Sequence, residues 1–134
     1  MSVGLLLISH NELGPQLLET ATKMLGRCPL TTETLVVSIH SDPALMQEQA
    51  LAMSRDLDQG DGVLILTDMF GSTPSNIASR VLESDHSTLV TGLNLPMLVR
   101  VLNYADLTLP ELAEKALSGG RDGVLAVHSE PNEN

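Results

Sequence analysis

The 134-residue chain is 43% hydrophobic and 18% charged, with a formal net charge of -10, which fits one folded domain and excludes a disordered or coiled-coil chain. Its acidity works against a nucleic-acid or anionic-membrane partner, and one Phe, one Tyr and no Trp leave nothing from which to build a base-stacking platform. The lone Cys28 cannot form an internal disulfide and suits a reducing cytoplasm; the apolar start Val3 to Ile8 is too short to span a bilayer and lacks the basic leader of a signal peptide.

Strand-like and helix-like segments alternate along the chain. The run Val3 to Ile8 has the continuous apolar character of a strand buried on both faces. Leu13, Leu17, Leu18, Ala21, Met24 and Leu25 then form one helical stripe with a stop at Gly26. Leu35 to Ile39 reads as a second strand, and Asp42-Pro43 as the cap and first turn of a helix carrying Met46, Ala50, Met53 and Leu57. After the turn Gly60-Asp61-Gly62 come a third strand, Val63 to Thr67, and a helix opened by Thr73-Pro74 and carrying Ile77, Val81 and Leu82. A fourth strand, Thr88 to Thr91, leads through Gly92 to a proline-opened helix from Leu95. A further helix over Leu109 to Leu117 is expected to close at Gly119-Gly120, before a last strand, Val124 to Val127. The pattern predicts an α/β fold in three layers, a mainly parallel sheet covered by helices, as a single domain over residues 1–128 with a polar tail at 129–134.

In an open parallel sheet the loops that can hold chemistry emerge at the carboxyl ends of the strands. Here they are Ser9-His10-Asn11, His40-Ser41-Asp42, Asp68 to Thr73 and Gly92-Leu93-Asn94. These loops contain no Lys or Arg, and there is neither a GxxxxGK[ST] nor a GxGxxG sequence, so a nucleotide-triphosphate or dinucleotide site has nothing to rest on. What remains suits a phosphoryl group carried by histidine, whose neutral ring is nucleophilic near neutral pH. Asp68 is placed to orient such a ring, and the Ser72 and Thr73 hydroxyls with the free amides of a helix start are placed to receive phosphoryl oxygens. Each residue also has a plainer role: His10 as a hydrogen-bonded strand end, Asp68 as a loop brace, and Ser72 or Thr73 as a helix cap. His40 with His10 and Asp68 offers a metal set only by coincidence of loops, and no metal or other cofactor is expected.

Three separated segments together resemble the mannose-type IIA domain of the bacterial phosphoenolpyruvate-dependent sugar phosphotransferase system. They are the opening strand with Ser9-His10, the run Asp68-Met69-Phe70-Gly71-Ser72-Thr73-Pro74-Ser75-Asn76, and Gly92-Leu93-Asn94-Leu95-Pro96-Met97. The resemblance implies that His10 accepts a phosphoryl group from the histidine phosphocarrier protein and passes it to a IIB component, with Asp68 pairing with the histidine and Thr73 near the phosphoryl group. Asn11 stands where many members have Gly, and Ser72 replaces a second Gly. The resemblance also implies a homodimer whose last strand crosses antiparallel to the partner's sheet. Around His10, Met69, Phe70, Leu93 and Asn94 are expected to form the docking surface. Two other readings are a regulatory module of the same fold that binds a target according to its phosphorylation, and a receiver domain phosphorylated on Asp68. The receiver lacks its usual acidic pair and its Lys, since Asn11-Glu12 and His128-Ser129 stand there instead.

Overall fold

The computed structural model describes residues 2–130. Four strands, β1 (Gly4–His10), β2 (Thr32–Val37), β3 (Val63–Thr67) and β4 (Ser87–Thr91), form one sheet in the order β2-β1-β3-β4. All three pairings are parallel, with Ile8 opposite Leu35 on one side and Thr67 on the other, and Thr67 opposite Thr91. The helices are α1 (Leu13–Leu25), α2 (Pro43–Leu57), α3 (Thr73–Arg80), α4 (Leu95–Asn103) and α5 (Leu109–Asp122).

The two-residue period of the strands divides the core between the faces of the sheet. Leu5, Leu7, Leu64 and Leu66 pack with Ala21 of α1, Leu98 and Val101 of α4, and Leu112 and Ala116 of α5. Leu6, Ile8, Val63 and Ile65 pack with Ala50 and Leu57 of α2 and Ile77 and Ala78 of α3. β1 and β3 are therefore covered on both sides, which is why they read as unbroken apolar runs. The order reverses between β1 and β3, since β2 lies to one side and β4 to the other; the crevice at the carboxyl ends of these two strands is where such sheets bind ligands.

Among the described residues, prolines open four of the five helices after caps of different kinds. The Asp42 side chain accepts from Ala44 N at 3.1 Å before Pro43, and Asn94 Oδ1 accepts from Met97 N at 2.9 Å before Pro96. Thr108 and Glu111 form a reciprocal capping box at the start of α5, while α3 begins at Thr73-Pro74 with no side-chain cap.

Three expectations are corrected. β2 begins at Thr32 and ends at Val37, so Ile39 lies beyond it and is 95% exposed. α5 does not stop at Gly119-Gly120 but continues to Asp122. Both glycines are buried in the contact with α4: a Cβ on Gly119 would meet Arg100 Cβ at 2.8 Å, and one on Gly120 would meet Met97 Cε at 2.8 Å. They permit close helix packing and do not end the helix. The expected strand Val124 to Val127 has no regular structure in the single chain, and Val124, Leu125 and Val127 are exposed. Of the expected tail, Ser129 and Glu130 are exposed, and 131–134 lie outside the described residues.

Candidate functional site

The site is built where β1 and β3 end. The ladder between them opens with Gly4 N donating to Gly62 O at 2.9 Å and steps two residues at a time, so His10 N would next meet the main chain of residue 68. A side chain takes that rung: His10 N donates to Asp68 Oδ2 at 3.1 Å, and the same oxygen lies 2.7 Å from His10 Nδ1. A carboxylate can only accept, so Nδ1 carries the hydrogen and Nε2 presents its lone pair. The Asp68 side chain is 8% exposed and the His10 side chain 44%, a shielded base holding an accessible ring. Asp68 Oδ1 and the neighbouring Thr67 Oγ1 are the buried side-chain atoms without a hydrogen-bond partner among the described residues.

The chain leaves β1 through two local devices. Ser9, fully buried, accepts from Gly14 N at 2.7 Å, tying the first turn of α1 to the strand that carries His10; a Cβ at Gly14 would lie 2.7 Å from that same oxygen. Asn11 has φ +48, the left-handed region that Asn tolerates better than other residues with a Cβ, and its N–H donates to Val37 O. The departure from Gly at this position is thus compatible with the turn.

The loop after β3 turns at Gly71, φ +82, into α3. Ser72 Oγ donates to Met69 O at 2.6 Å, which ties the turn together and leaves the hydroxyl's lone pairs free. Thr73 is exposed at the first helical position, and the Thr73 and Ser75 amides find no main-chain acceptor, as expected for a helix start. Met69 and Phe70 are exposed, the latter by 82%.

The loop after β4 serves a different purpose. Leu93 is 6% exposed and belongs to the core, its N–H donating to Thr67 O at 2.9 Å, so its side chain is not a docking surface. Asn94 caps α4 and donates Nδ2 to Gly120 O at 3.1 Å, joining α4 to α5. His40, exposed in the loop after β2, is not joined to His10 and Asp68 in a metal-binding group among the described residues. Sequence reasoning missed Ser9 and Gly14 as a pair; the spacing of a small polar strand end and a glycine in the next helical turn was the available signal.

A family model described as the PTS system fructose IIA component, EIIA-man, matches residues 4–117. The mannose-specific EIIAB component of the PTS system of Escherichia coli (strain K12) is 32% identical over 136 residues, covering 99% of this chain but 42% of the relative, so the chain spans about two fifths of that protein. The transcriptional regulatory protein LevR of Bacillus subtilis (strain 168) is 29% identical over 113 residues, 80% of this chain and 12% of that protein. Among solved structures, the mannose/sorbose specific IIA subunit from Enterococcus faecalis aligns with a TM-score of 0.86 over 98% of this chain and 99% of that one; at 22% identity this likeness shows the fold.

Proposed function

Because the chain belongs to the EIIA-man family of phosphotransferase-system IIA components, which serve phosphoryl transfer for sugar uptake, we propose that it is a phosphohistidine carrier: His10 takes a phosphoryl group from the histidine phosphocarrier protein and gives it to a IIB component. The observation that carries this reading is the double hold of Asp68 Oδ2 on His10 N and Nδ1, which leaves Nε2 as the nucleophile. In the first transfer the Nε2–P bond forms as the donor's N–P bond breaks, and the donor imidazole leaves with the electron pair of that bond. The His10 ring becomes cationic as it bonds to phosphorus, and the Asp68 carboxylate stabilises that charge through Nδ1–H. The amides at the head of α3 and the Thr73 hydroxyl receive phosphoryl oxygens; Ser72 joins them by turning its hydrogen away from Met69 O. The second transfer repeats the exchange with the acceptor as nucleophile.

The reading treats residues 1–128 as one cytoplasmic domain and 129–134 as its tail, with Met69 and Phe70 in the docking surface. No helix among the described residues is long and apolar enough to cross a membrane. The reading also carries a homodimer: among the described residues the outer edge of β4 is unpaired, and Val124 to Val127 adds antiparallel to that edge of a second copy. A second reading, a module whose phosphorylation governs binding to a regulatory target, is favoured by the match to part of a transcriptional regulator.

Incubation with phosphoenolpyruvate, enzyme I and the phosphocarrier is the test. The expected product carries one acid-labile phosphoryl group, absent from His10→Ala. Labelling of His10→Ala at the wild-type rate overturns the assignment, and a base-labile group on Asp68 selects the receiver reading. Onward transfer to a IIB protein separates the carrier from the regulatory module.

A further inference from the structure

Two consecutive residues each bury a polar atom that has no partner among the described residues: Thr67 Oγ1, on the last residue of β3, and Asp68 Oδ1, on the next. Thr67 is fully buried and the Asp68 side chain is 8% exposed. A hydroxyl or carboxylate oxygen left unpaired in an interior carries the full cost of leaving water, so a pair of them calls for a physical reason.

Neither atom can turn out to solvent. The main chain of Thr67 lies opposite Ile8 of β1 and Thr91 of β4, and its carbonyl accepts from Leu93 N at 2.9 Å, which fixes the residue from three sides. Its side chain follows Val63 and Ile65 in the alternation of β3, toward the face covered by α2 and α3, and the branched Cβ restricts its rotation. The Asp68 carboxyl group is held through Oδ2, 3.1 Å from His10 N and 2.7 Å from Nδ1, and this also sets where Oδ1 lies. No cation of the chain is at hand to share the charge: the loops at this edge of the sheet hold no Lys or Arg, and α3 carries one ionisable residue, Arg80, in its last turn. The two atoms are complementary in kind, since the hydroxyl has a hydrogen to give and the carboxylate has only lone pairs. Water is the smallest molecule that accepts from the one and donates to the other, and polar atoms cut off from solvent are the partners that buried waters take.

We propose that Thr67 Oγ1 and Asp68 Oδ1 hold one buried water molecule, and that Thr67, acting through this water on Asp68, sets how tightly a phosphorylated His10 ring is held. The water site stands on the two buried atoms, while the second part rests on the carrier reading. In the onward step the Nε2–P bond breaks as the acceptor's N–P bond forms, Nε2 keeps the electron pair, and the His10 ring returns from cation to neutral. The negative charge on Oδ2 opposes that return, because it stabilises the cation through Nδ1–H. A hydrogen bond donated to Oδ1 draws part of the charge away from Oδ2 and loosens this hold, so the phosphoryl group is given up more easily. A group that is both received and passed on needs a carboxylate that orients the ring without locking its charged form. Thr67 is thus a positioning residue that touches neither the ring nor phosphorus.

The test uses the full chain with Thr67→Val, which keeps the shape of the side chain and removes the hydroxyl, and Thr67→Ser, which restores it. A crystal structure of the wild type is expected to show one water within hydrogen-bond distance of both atoms, and that of Thr67→Val is expected to lack it. The NMR resonance of the His10 Nδ1 hydrogen should move downfield in Thr67→Val, because Oδ2 then carries more of the charge, and should return in Thr67→Ser. When the chain exchanges phosphoryl groups with the phosphocarrier, the equilibrium should shift toward the phosphorylated chain by about threefold or more in Thr67→Val, through slower back-transfer, with Thr67→Ser near the wild type. A hydroxyl that serves packing alone would alter both directions together and leave the equilibrium and the resonance in place, which overturns the tuning. A wild-type structure in which Thr67 Oγ1 bonds Asp68 Oδ1 directly, or in which a cation lies between them, overturns the water site. If the wild type accepts no phosphoryl group at all, the carrier reading and the tuning fail, and the crystal structures still decide the water site.

Discussion

One oxygen of Asp68 holds His10 twice, at 3.1 Å through the main-chain N–H and at 2.7 Å through Nδ1 of the ring. The first contact fixes where the residue sits at the end of β1, and the second fixes which ring nitrogen carries hydrogen and how the ring is turned. Because both contacts come from the residue that directly follows β3, on the far side of the switch point, the geometry of His10 depends on where β1–β3 pairing places that residue. On the proposed carrier reading, a group that meets two protein partners in turn requires such a rigid mount.

Asp68→Asn keeps the size of the side chain but removes the charge that steadies the ring. The amide can still accept from His10 N through its oxygen, so the fold should hold. Phosphoryl transfer to His10 should slow by about ten- to a hundredfold, as losses of orienting partners commonly do. Rapid-quench labelling measures this, and an unchanged rate reduces Asp68 to a brace for the strand end.

Asn11 occupies the left-handed region at φ +48. Asn11→Gly should be neutral or slightly stabilising, whereas Asn11→Ala should cost about 1 kcal/mol because a plain Cβ is strained there. Urea unfolding of the two variants separates the outcomes: equal stability would mean that the Asn side chain contributes nothing specific to the turn.

How much of this is legible in the sequence follows from what the signals mean physically. β1 and β3 are plain because strands buried on both faces leave an unbroken apolar run, and Asp42-Pro43 announces α2 through local capping chemistry. The start of β2 is hidden because Thr32, Glu33 and Thr34 lie in an edge strand, where polar side chains meet water and apolar periodicity fades. Gly119 and Gly120 look like a stop because local propensity knows nothing of Arg100 and Met97 across the interface. Leu93 looks exposed because it follows a strand end, yet its N–H bond to Thr67 O turns that loop back over the core. His10 and Asp68 stand out by their positions at strand ends, while the shared oxygen depends on register between strands far apart in sequence.

Ser9 and Gly14 should behave as a coupled pair. Ser9→Ala leaves the buried Gly14 N–H unpaired at a cost of about 1 to 3 kcal/mol. Gly14→Ala forces a methyl to within 2.7 Å of Ser9 Oγ unless the helix moves. The double variant removes the clash along with the hydroxyl, so its loss should be smaller than the sum of the two single losses. Strict additivity in chemical denaturation would show that the two residues act independently.

Phe70→Ala should barely change stability, since the ring is 82% exposed in the single chain, yet should weaken docking of the phosphocarrier. The apolar contact it removes is insensitive to salt, while the field of a chain with net charge -10 steers a basic partner and is screened. The affinity deficit of Phe70→Ala should therefore persist at every ionic strength, whereas association of the wild type slows modestly as salt is added. NMR titration in which the phosphocarrier leaves Met69 and Phe70 unperturbed would move the interface elsewhere.

At the opposite end of the sheet Asp58 organises the turn into β3, accepting from Gly60 N at 2.9 Å and Gly62 N at 3.0 Å, with His86 Nδ1 3.3 Å from its other oxygen. The Gly60 hydrogen bond, assisted by Gly62 and by the charge and hydrogen bond of His86, holds the Asp58 carboxyl below its ordinary value even though partial burial works in the other direction. A carboxyl that is more acidic in the folded state than in the unfolded one contributes stability above the unfolded value, and that contribution is lost as pH falls through the folded value. Asp58→Asn should therefore be less stable than wild type at neutral pH, by about 1 to 3 kcal/mol for the weakened charge-assisted bonds, and the gap should close on acidification below about pH 4. Thermal unfolding of both proteins from neutral to acid pH measures the gap. A constant difference across that range would mean that the side chain acts by shape alone and that its charge does not stabilise the turn.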